Sequence, residues 1–433
     1  METLIVDPAG VETLVKRYRD RTPRSEAIGA RAERVMPAGD TRAAGYHEPY
    51  PLTLVSGRGE WLRDLDDHEY LDLSYNYTSL VHGHAYGPIV DAVEATHRDG
   101  TAWPARSEPQ IELAELLVDR LASVDQVRFA NSGTEAAMLA MHVARIATGR
   151  PKVLMARCGY HGSHEYFDVG AHDGAVEIPG AEDGVLTAEY GDAADFERVL
   201  AEHGSDIAAV FLEPVMGSGG IRSASPEFLA AVRRATTAAG ALLVLDEVIT
   251  FRLGTGGAQA ALGVTPDLTL LGKLIGGGYP VGAVGGRADL MAILDPRRGR
   301  YLHSGTFNGN RITAVAGAVS VRELTAARID TMASLAADLD DGLRRLAARH
   351  GVPLTVSRAG SLLNLFVTSE VPRPGDRPDG PAMAALHLAG LLHGLHFPAR
   401  GMLVVSTLTT PATITEALAR FDAAFADLTA IAA

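Results

Sequence analysis

From Ile89 onward the sequence alternates between helical stretches and short apolar runs, and this alternation limits the possible folds more than any other feature. Helices are predicted over Pro88–His97, Glu108–Leu121, Thr134–Thr148, Ala194–His203, Pro226–Ala239 and Thr325–His350. Strands are predicted at Val127–Phe129, Lys152–Ala156, Ile207–Glu213, Ala241–Asp246, Leu268–Leu271 and Val281–Val284. A run that is apolar throughout reads as a strand buried on both faces, and strands separated by helices pair in parallel. The fold class is therefore α/β, with a mostly parallel sheet flanked by helices in a large domain.

With 433 residues, 47% of them hydrophobic, the chain can bury a large core and divide into more than one domain. Residues 1–62 read as an N-terminal segment: a polar helix over Val11–Ala30, a loop signal at Met36–Gly39, then short strands at Leu52–Val55 and Glu60–Arg63. Residues 63–308 carry the alternating pattern. Residues 309–433 form a C-terminal small domain, with a long Ala/Leu/Arg helix, a mixed segment at Ser361–Val367 and a Pro- and Gly-rich loop at Val371–Pro381, and the chain's two termini together are expected to make a small α+β domain.

A formal charge of −14 argues against a nucleic-acid backbone or an anionic membrane as partner. The single cysteine, Cys158, excludes an internal disulfide and fits a reducing compartment. Met1–Gly10 is acidic where a signal peptide is basic, and no apolar run reaches membrane-spanning length. The expected location is the cytoplasm.

The candidate chemistry lies at strand ends. Lys273 follows the apolar run Leu268–Leu271 and precedes Gly276, Gly277 and Gly278. A lysine desolvated at such a place is a nucleophile toward carbonyls, whereas most lysines are solvated surface charges. Ser132, Gly133 and Thr134 follow the strand at Val127–Phe129 and open a helix, which suits either a phosphate cradle or an ordinary N-cap. Asp246 ends the run Ala241–Leu245. A carboxylate there needs a partner, either a core cation or a protonated ring nitrogen of a ligand. Tyr160, on the glycine-flanked turn after Lys152–Ala156, either stacks on a flat ligand or packs in the core. His82 and His84 have no further residue at metal-ligand spacing, so no metal is expected. No Walker A or G-x-G-x-x-G motif follows any strand.

A phosphate cradle, a stacking ring, a buried aspartate and a strand-end lysine, each after a different strand of one sheet, together suit pyridoxal 5′-phosphate. The motifs Asn131–Ala136, Gly159-Tyr160-His161-Gly162, Leu212-Glu213-Pro214-Val215, Leu245–Val248, Gly272-Lys273 and His303–Asn310 occur in one order along most of the chain. In this the sequence resembles the class III aminotransferases of the fold-type I pyridoxal-phosphate enzymes, in the branch of the glutamate-1-semialdehyde aminomutases. The resemblance implies that Lys273 forms the imine with the cofactor and shuttles protons, and that Asp246 holds the pyridine nitrogen. It implies that Ser132, Gly133 and Thr134 bind the phosphate and that Tyr160 stacks on the ring. Glu213 and Ser218 are then placed at the cofactor, Ser218 standing where the aminomutases carry an asparagine. It further implies a homodimer in which Thr306 reaches the phosphate in the neighbouring subunit.

Two arginines bear on the substrate. Arg42 and Arg400 lie in loops marked by Gly and Pro, and a guanidinium there is either a fork for a carboxylate or a structural cation. The pair, with Tyr77-Thr78 before His82, is similar to the bacterial β-phenylalanine aminotransferases. By that likeness Arg42 receives the carboxylate of a β-amino acid, Arg400 that of a 2-oxo acid such as 2-oxoglutarate, and Tyr77 lines the pocket. Asp40, Ala43 and Tyr75-Asn76 depart from that pattern. The implied activity is ping-pong transamination between these substrates. The alternatives are an aminomutase acting within one molecule and a catalytically silent binding protein on the same fold.

Overall fold

A computed structural model describes residues 2–171, 179–376 and 379–433; residues 377–378 of the Val371–Pro381 loop fall outside them. The chain forms two compact units. The larger comprises Gly87–Ile329 with the stretch Thr78–Val81; the smaller is made of the two ends of the chain, up to Tyr77 and from Asp330 on, with His82–Tyr86.

The larger unit is built on a seven-stranded sheet, in the spatial order Gln126–Ala130, Gly282–Gly286, Leu268–Gly272, Leu242–Asp246, Ile207–Leu212, Lys152–Ala156 and Val185–Ala188. Gly282–Gly286 runs antiparallel to both neighbours, and the other pairings made by the central strands are parallel. Successive side chains of a strand point to opposite faces. Val153, Met155, Phe211 and Val244 accordingly pack on one face with Leu139, Met141 and Val143 of helix Gly133–Thr148. Leu154, Val210, Leu243 and Leu245 pack on the other with Phe196 and Phe228 of helices Ala193–His203 and Pro226–Ala239. A sheet covered on both faces explains why its strands read as unbroken apolar runs.

Among the elements of this unit that escape the sequence reading are an edge strand and a helix. The edge strand Val185–Ala188 is short and only half buried along its length, so it lacks an apolar run. Helix Arg311–Glu323 carries several β-branched residues and a central glycine, yet it packs against helices Gly87–His97 and Glu108–Arg120. A Cβ at its Gly317 would lie 1.9 Å from the carbonyl oxygen of Ile275, so close approach, not helix propensity, selects that residue. This packing holds the chain in the larger unit through Ile329, beyond the sequence-based boundary at 308.

In the smaller unit Leu54–Arg58, Trp61–Asp64 and Glu69–Asp72 form an antiparallel meander. Leu395–His396, from the far end of the chain, adds to it in parallel. That pairing keeps residues 63–77 with the chain ends rather than with the large sheet. A second sheet holds Thr355–Ala359, Leu362–Phe366 and Met402–Val404. The helix expected over Val11–Ala30 is two, Pro8–Arg21 and Pro23–Ala32, because Pro23 lacks the N–H needed to continue the first. Among the described residues, no helix is long and apolar enough to cross a membrane.

Two packed histidines, His387 buried and His47 half-buried, tie the stability of this unit to pH. The rings of His47 and His387 lie 4.4 Å apart. Burial pushes His47 down from 6.5 to about 4 and moves His387 in the same direction. Below pH 6.5 the unfolded chain binds protons that the folded chain does not, so stability is complete above that pH and falls as pH drops toward 4. His47 alone should account for about 2–3 kcal/mol across this window. Urea unfolding measured between pH 7 and pH 4.5 should give this slope, and His47→Phe should reduce it, leaving the share of His387.

Candidate active site

Cross-strand register sets the layout of the larger unit's site. Asp246, the last residue of its strand, pairs with Leu270. Two residues on, Gly272 pairs with Gly282, which pairs in turn with Ala130. Lys273 and the turn that begins at Asn131 therefore leave the same edge of the sheet, two strand spacings or roughly 10 Å apart. This is the carboxyl edge of the parallel strands, where open α/β sheets bind ligands. Lys273 opens a short 3₁₀ turn, Lys273–Gly276, with φ of +50° and its side chain partly buried. A non-glycine residue held in the left-handed region stores strain, and such positions cluster at functional sites.

The phosphate candidates sit at the start of helix Gly133–Thr148. The Ser132 hydroxyl oxygen accepts from the Glu135 amide at 3.1 Å, and that of Thr134 accepts from Ser163 N at 3.1 Å. Capping and anion binding are compatible here, because each hydroxyl that accepts still has a proton to donate. Two glycines make the turn possible. Gly162, at φ +96°, would place a Cβ 2.4 Å from Thr134 Oγ1. Gly282 would place one 1.8 Å from the Ser132 carbonyl oxygen. Backbone cannot yield at that distance, so Gly282→Ala should cost roughly 1–3 kcal/mol or more of stability. It should also displace the 132–134 turn, to be read as a lower Tm and a raised Kd for pyridoxal phosphate.

Asp246 is held from two sides. Its Oδ1 accepts from Val248 N at 3.0 Å, and its Oδ2 lies 2.8 Å from Nδ1 of His161, which donates to it. His161 is 2% exposed and packs against Phe167 and Phe211. Its role was missed in the sequence reading: it is the neighbour of Tyr160, but nothing local signals a bond across 85 positions. Val248 carries its methyls between the phosphate turn and the lysine strand; a Cβ on Gly133 would lie 3.6 Å from it, one on Gly272 3.3 Å. Tyr160 is 42% exposed, leaving its ring surface accessible rather than packed in the core.

Glu213 acts as a brace. Its Oε1 accepts from Tyr160 N at 3.0 Å and its Oε2 from Gly217 N at 2.9 Å, so both oxygens are engaged by the two loops. Burial pushes its carboxyl up from the ordinary range, with His161 opposing and Asp246 adding to the rise. The loop it holds carries Ser218, whose Oγ is buried without a hydrogen-bond partner. Buried hydroxyls are nearly always satisfied, so this one is suited to a polar group of a ligand. Thr306 is exposed, on a segment joined to the turn by Asn131, whose Nδ2 donates to Asn308 Oδ1 at 2.8 Å.

Arg42, Tyr77 and Arg400 all belong to the smaller unit. The Tyr77 ring has the guanidinium of Arg42 5.9 Å from its centroid and that of Arg400 5.4 Å away. Burial pushes the Tyr77 hydroxyl up, the two arginines partly reverse this, and it donates to Ala44 O. In the same unit Nε2 of His84 is 2.7 Å from Asp72, and His82 Nδ1 meets the Thr407 hydroxyl. Among the described residues no group of His, Cys, Asp and Glu could hold a metal ion.

A lysine and an aspartate at adjacent strand ends, a hydroxyl-lined helix N-terminus and an unsatisfied buried serine fit pyridoxal phosphate, and this fold with this site defines a fold-type I pyridoxal-phosphate enzyme. The sequence profile of the family described as Aminotransferase class-III matches residues 42–426, and the chain belongs to this family of pyridoxal-phosphate-dependent enzymes. It is 39% identical over 362 residues to the glutamate-1-semialdehyde 2,1-aminomutase of Rhodopirellula baltica, covering 80% of this chain and 82% of that one. To the beta-phenylalanine transaminase of Variovorax paradoxus it is 38% identical over 403 residues, 92% of each chain. Among solved structures it resembles an omega-transaminase from Sphaerobacter thermophilus, with a TM-score of 0.91 and 37% identity over 95% of this chain and 99% of that one. A transaminase solved with the cofactor bound matches with a TM-score of 0.89 and 33% identity, over 94% of this chain and 98% of that one.

Proposed function

We propose that this aminotransferase moves the amino group of a β-amino acid with a β-phenylalanine-like side chain to a 2-oxo acid such as 2-oxoglutarate, in two ping-pong half-reactions. The observation that carries this reading is the Tyr77 ring within reach of both Arg42 and Arg400. Two guanidinium groups on one aromatic give two forks for carboxylates beside an apolar surface, which suits two acids taking turns. Arg42 takes the carboxylate of the β-amino acid, Arg400 that of the oxo acid, and Tyr77 lines the space for the side chain. The name of the Variovorax relative supports the donor assignment.

Ser132, Gly133 and Thr134 hold the cofactor's phosphate, Tyr160 covers its ring, Ser218 meets its ring hydroxyl and Asp246 its ring nitrogen. The bound cofactor supplies an aldehyde for the amine and an electron-withdrawing ring that stabilises a carbanion. Lys273 would take the proton from the amine-bearing carbon and return it to the carbon on the far side of the nitrogen, two atoms away. Asp246 keeps the ring nitrogen protonated, and His161 keeps Asp246 oriented. The enzyme works as a cytoplasmic homodimer in which Thr306 completes the phosphate site of the partner.

The test is a panel of β-amino acids and α-amino acids with 2-oxoglutarate, read as glutamate formed. β-Phenylalanine should lead the panel, and turnover should vanish without the oxo acid. Product formed in the absence of any oxo acid would instead make the enzyme an aminomutase, the activity named for the Rhodopirellula relative.

A further inference from the structure

The chain from Tyr75 to Thr78 holds four consecutive non-glycine residues at positive φ, of 46°, 49°, 54° and 76°. Each costs roughly 1–2 kcal/mol in that region, less for asparagine, so the turn must be imposed by its surroundings. Asp72 imposes it from below. One carboxylate oxygen accepts from Ser74 N at 2.8 Å, the other from Tyr75 N at 3.1 Å. The Ser74 hydroxyl accepts from Tyr77 N at 3.2 Å, and the buried Tyr75 donates its hydroxyl to Glu60 at 3.1 Å. The outcome of this strained turn is that Asn76 meets Arg42: Nη1 of the arginine donates to the Asn76 amide oxygen at 2.6 Å.

That acceptor is neutral. Among the described residues Arg42 makes no ion pair, and the nearest acid in sequence, Asp40, spends Oδ1 on the backbone amides of Thr41 and Arg42. One hydrogen bond on Nη1 orients a guanidinium while leaving the edge formed by Nε and Nη2, the geometry that grips a carboxylate with two bonds. An aspartate in the same place would orient it equally well and also neutralise it.

We propose that Asn76 is a positioning residue for the amino donor: it pins Arg42 with an uncharged oxygen so that the full charge of the arginine is kept for the donor's carboxylate. The proposal rests on the reading of Arg42 given above. It is tested on the holoenzyme with two variants that tolerate positive φ, Asn76→Asp and Asn76→Gly. Asn76→Asp should raise KM for β-phenylalanine roughly tenfold or more, with kcat and KM for 2-oxoglutarate changed less than about threefold. The Kd of 3-phenylpropanoate, a donor analogue with no amine, should weaken in parallel when measured by calorimetry. Asn76→Gly should show a smaller loss, roughly two- to fivefold, because it frees the arginine without neutralising it. Unchanged analogue binding in Asn76→Asp, equal effects on both substrates, or an effect on the oxo acid alone overturns the proposal. Failure of the wild-type enzyme to use any β-amino acid is a separate result, and it removes the donor assignment itself.

Discussion

Replacing Lys273 with alanine should lower transamination by a factor of about 10⁴ or more, while the protein stays folded. In the proposed mechanism Lys273 would both bond to the cofactor's aldehyde and move a proton between two carbons, and alanine can do neither. The fold should tolerate the change, since the residue is partly exposed at the start of a short turn and both side chains suffer the left-handed backbone alike. Added methylamine should restore a fraction of the rate by serving as a diffusible base. A variant that keeps more than about one per cent of wild-type turnover would show that another group moves the proton.

The second large effect is expected at Asp246. Asp246→Asn keeps the shape of the side chain but removes the charge that, in the proposed mechanism, would stabilise a protonated ring nitrogen in a buried site. A loss of roughly 10²–10³ in kcat follows from the usual weight of such preorganised electrostatic contacts. His161→Phe separates positioning from charge, because phenylalanine retains the packing on Phe167 and Phe211 and loses only the donor to Asp246. Its loss should be smaller, on the order of tenfold. Without that donor the carboxylate is free to turn, so the loss should fall on kcat, with KM for the amino donor changed less than about threefold. A wild-type kcat in His161→Phe would refute a positioning role.

Much of the larger unit was legible because its signals are local. Ile207–Leu212 is buried along its whole length, and only an unbroken apolar run can fill that position. Lys273, Asp246, Ser132 and Tyr160 stand out in the sequence because each lies close after such a run or opens the helix that follows. What escaped was set by contact across the chain. His161 takes its role from a carboxylate 85 residues away. Helix Arg311–Glu323 has the composition of a weak helix and forms where small side chains let it press against its neighbours. The unit boundaries moved for the same reason: Leu395–His396 completes a sheet whose other strands lie before residue 73.

The sequence by itself determined the alternation of strands and helices, the residue types at the carboxyl edge of the sheet and, through them, the cofactor. These follow from burial and chain geometry over a few residues. Only the tertiary structure decided that Glu213 braces two loops, that Tyr77 lies beside two arginines, and that Asn76 is turned onto one of them. Hydrogen bonds and ring contacts of that kind depend on where distant segments are brought together, and no run of neighbouring residues encodes that distance.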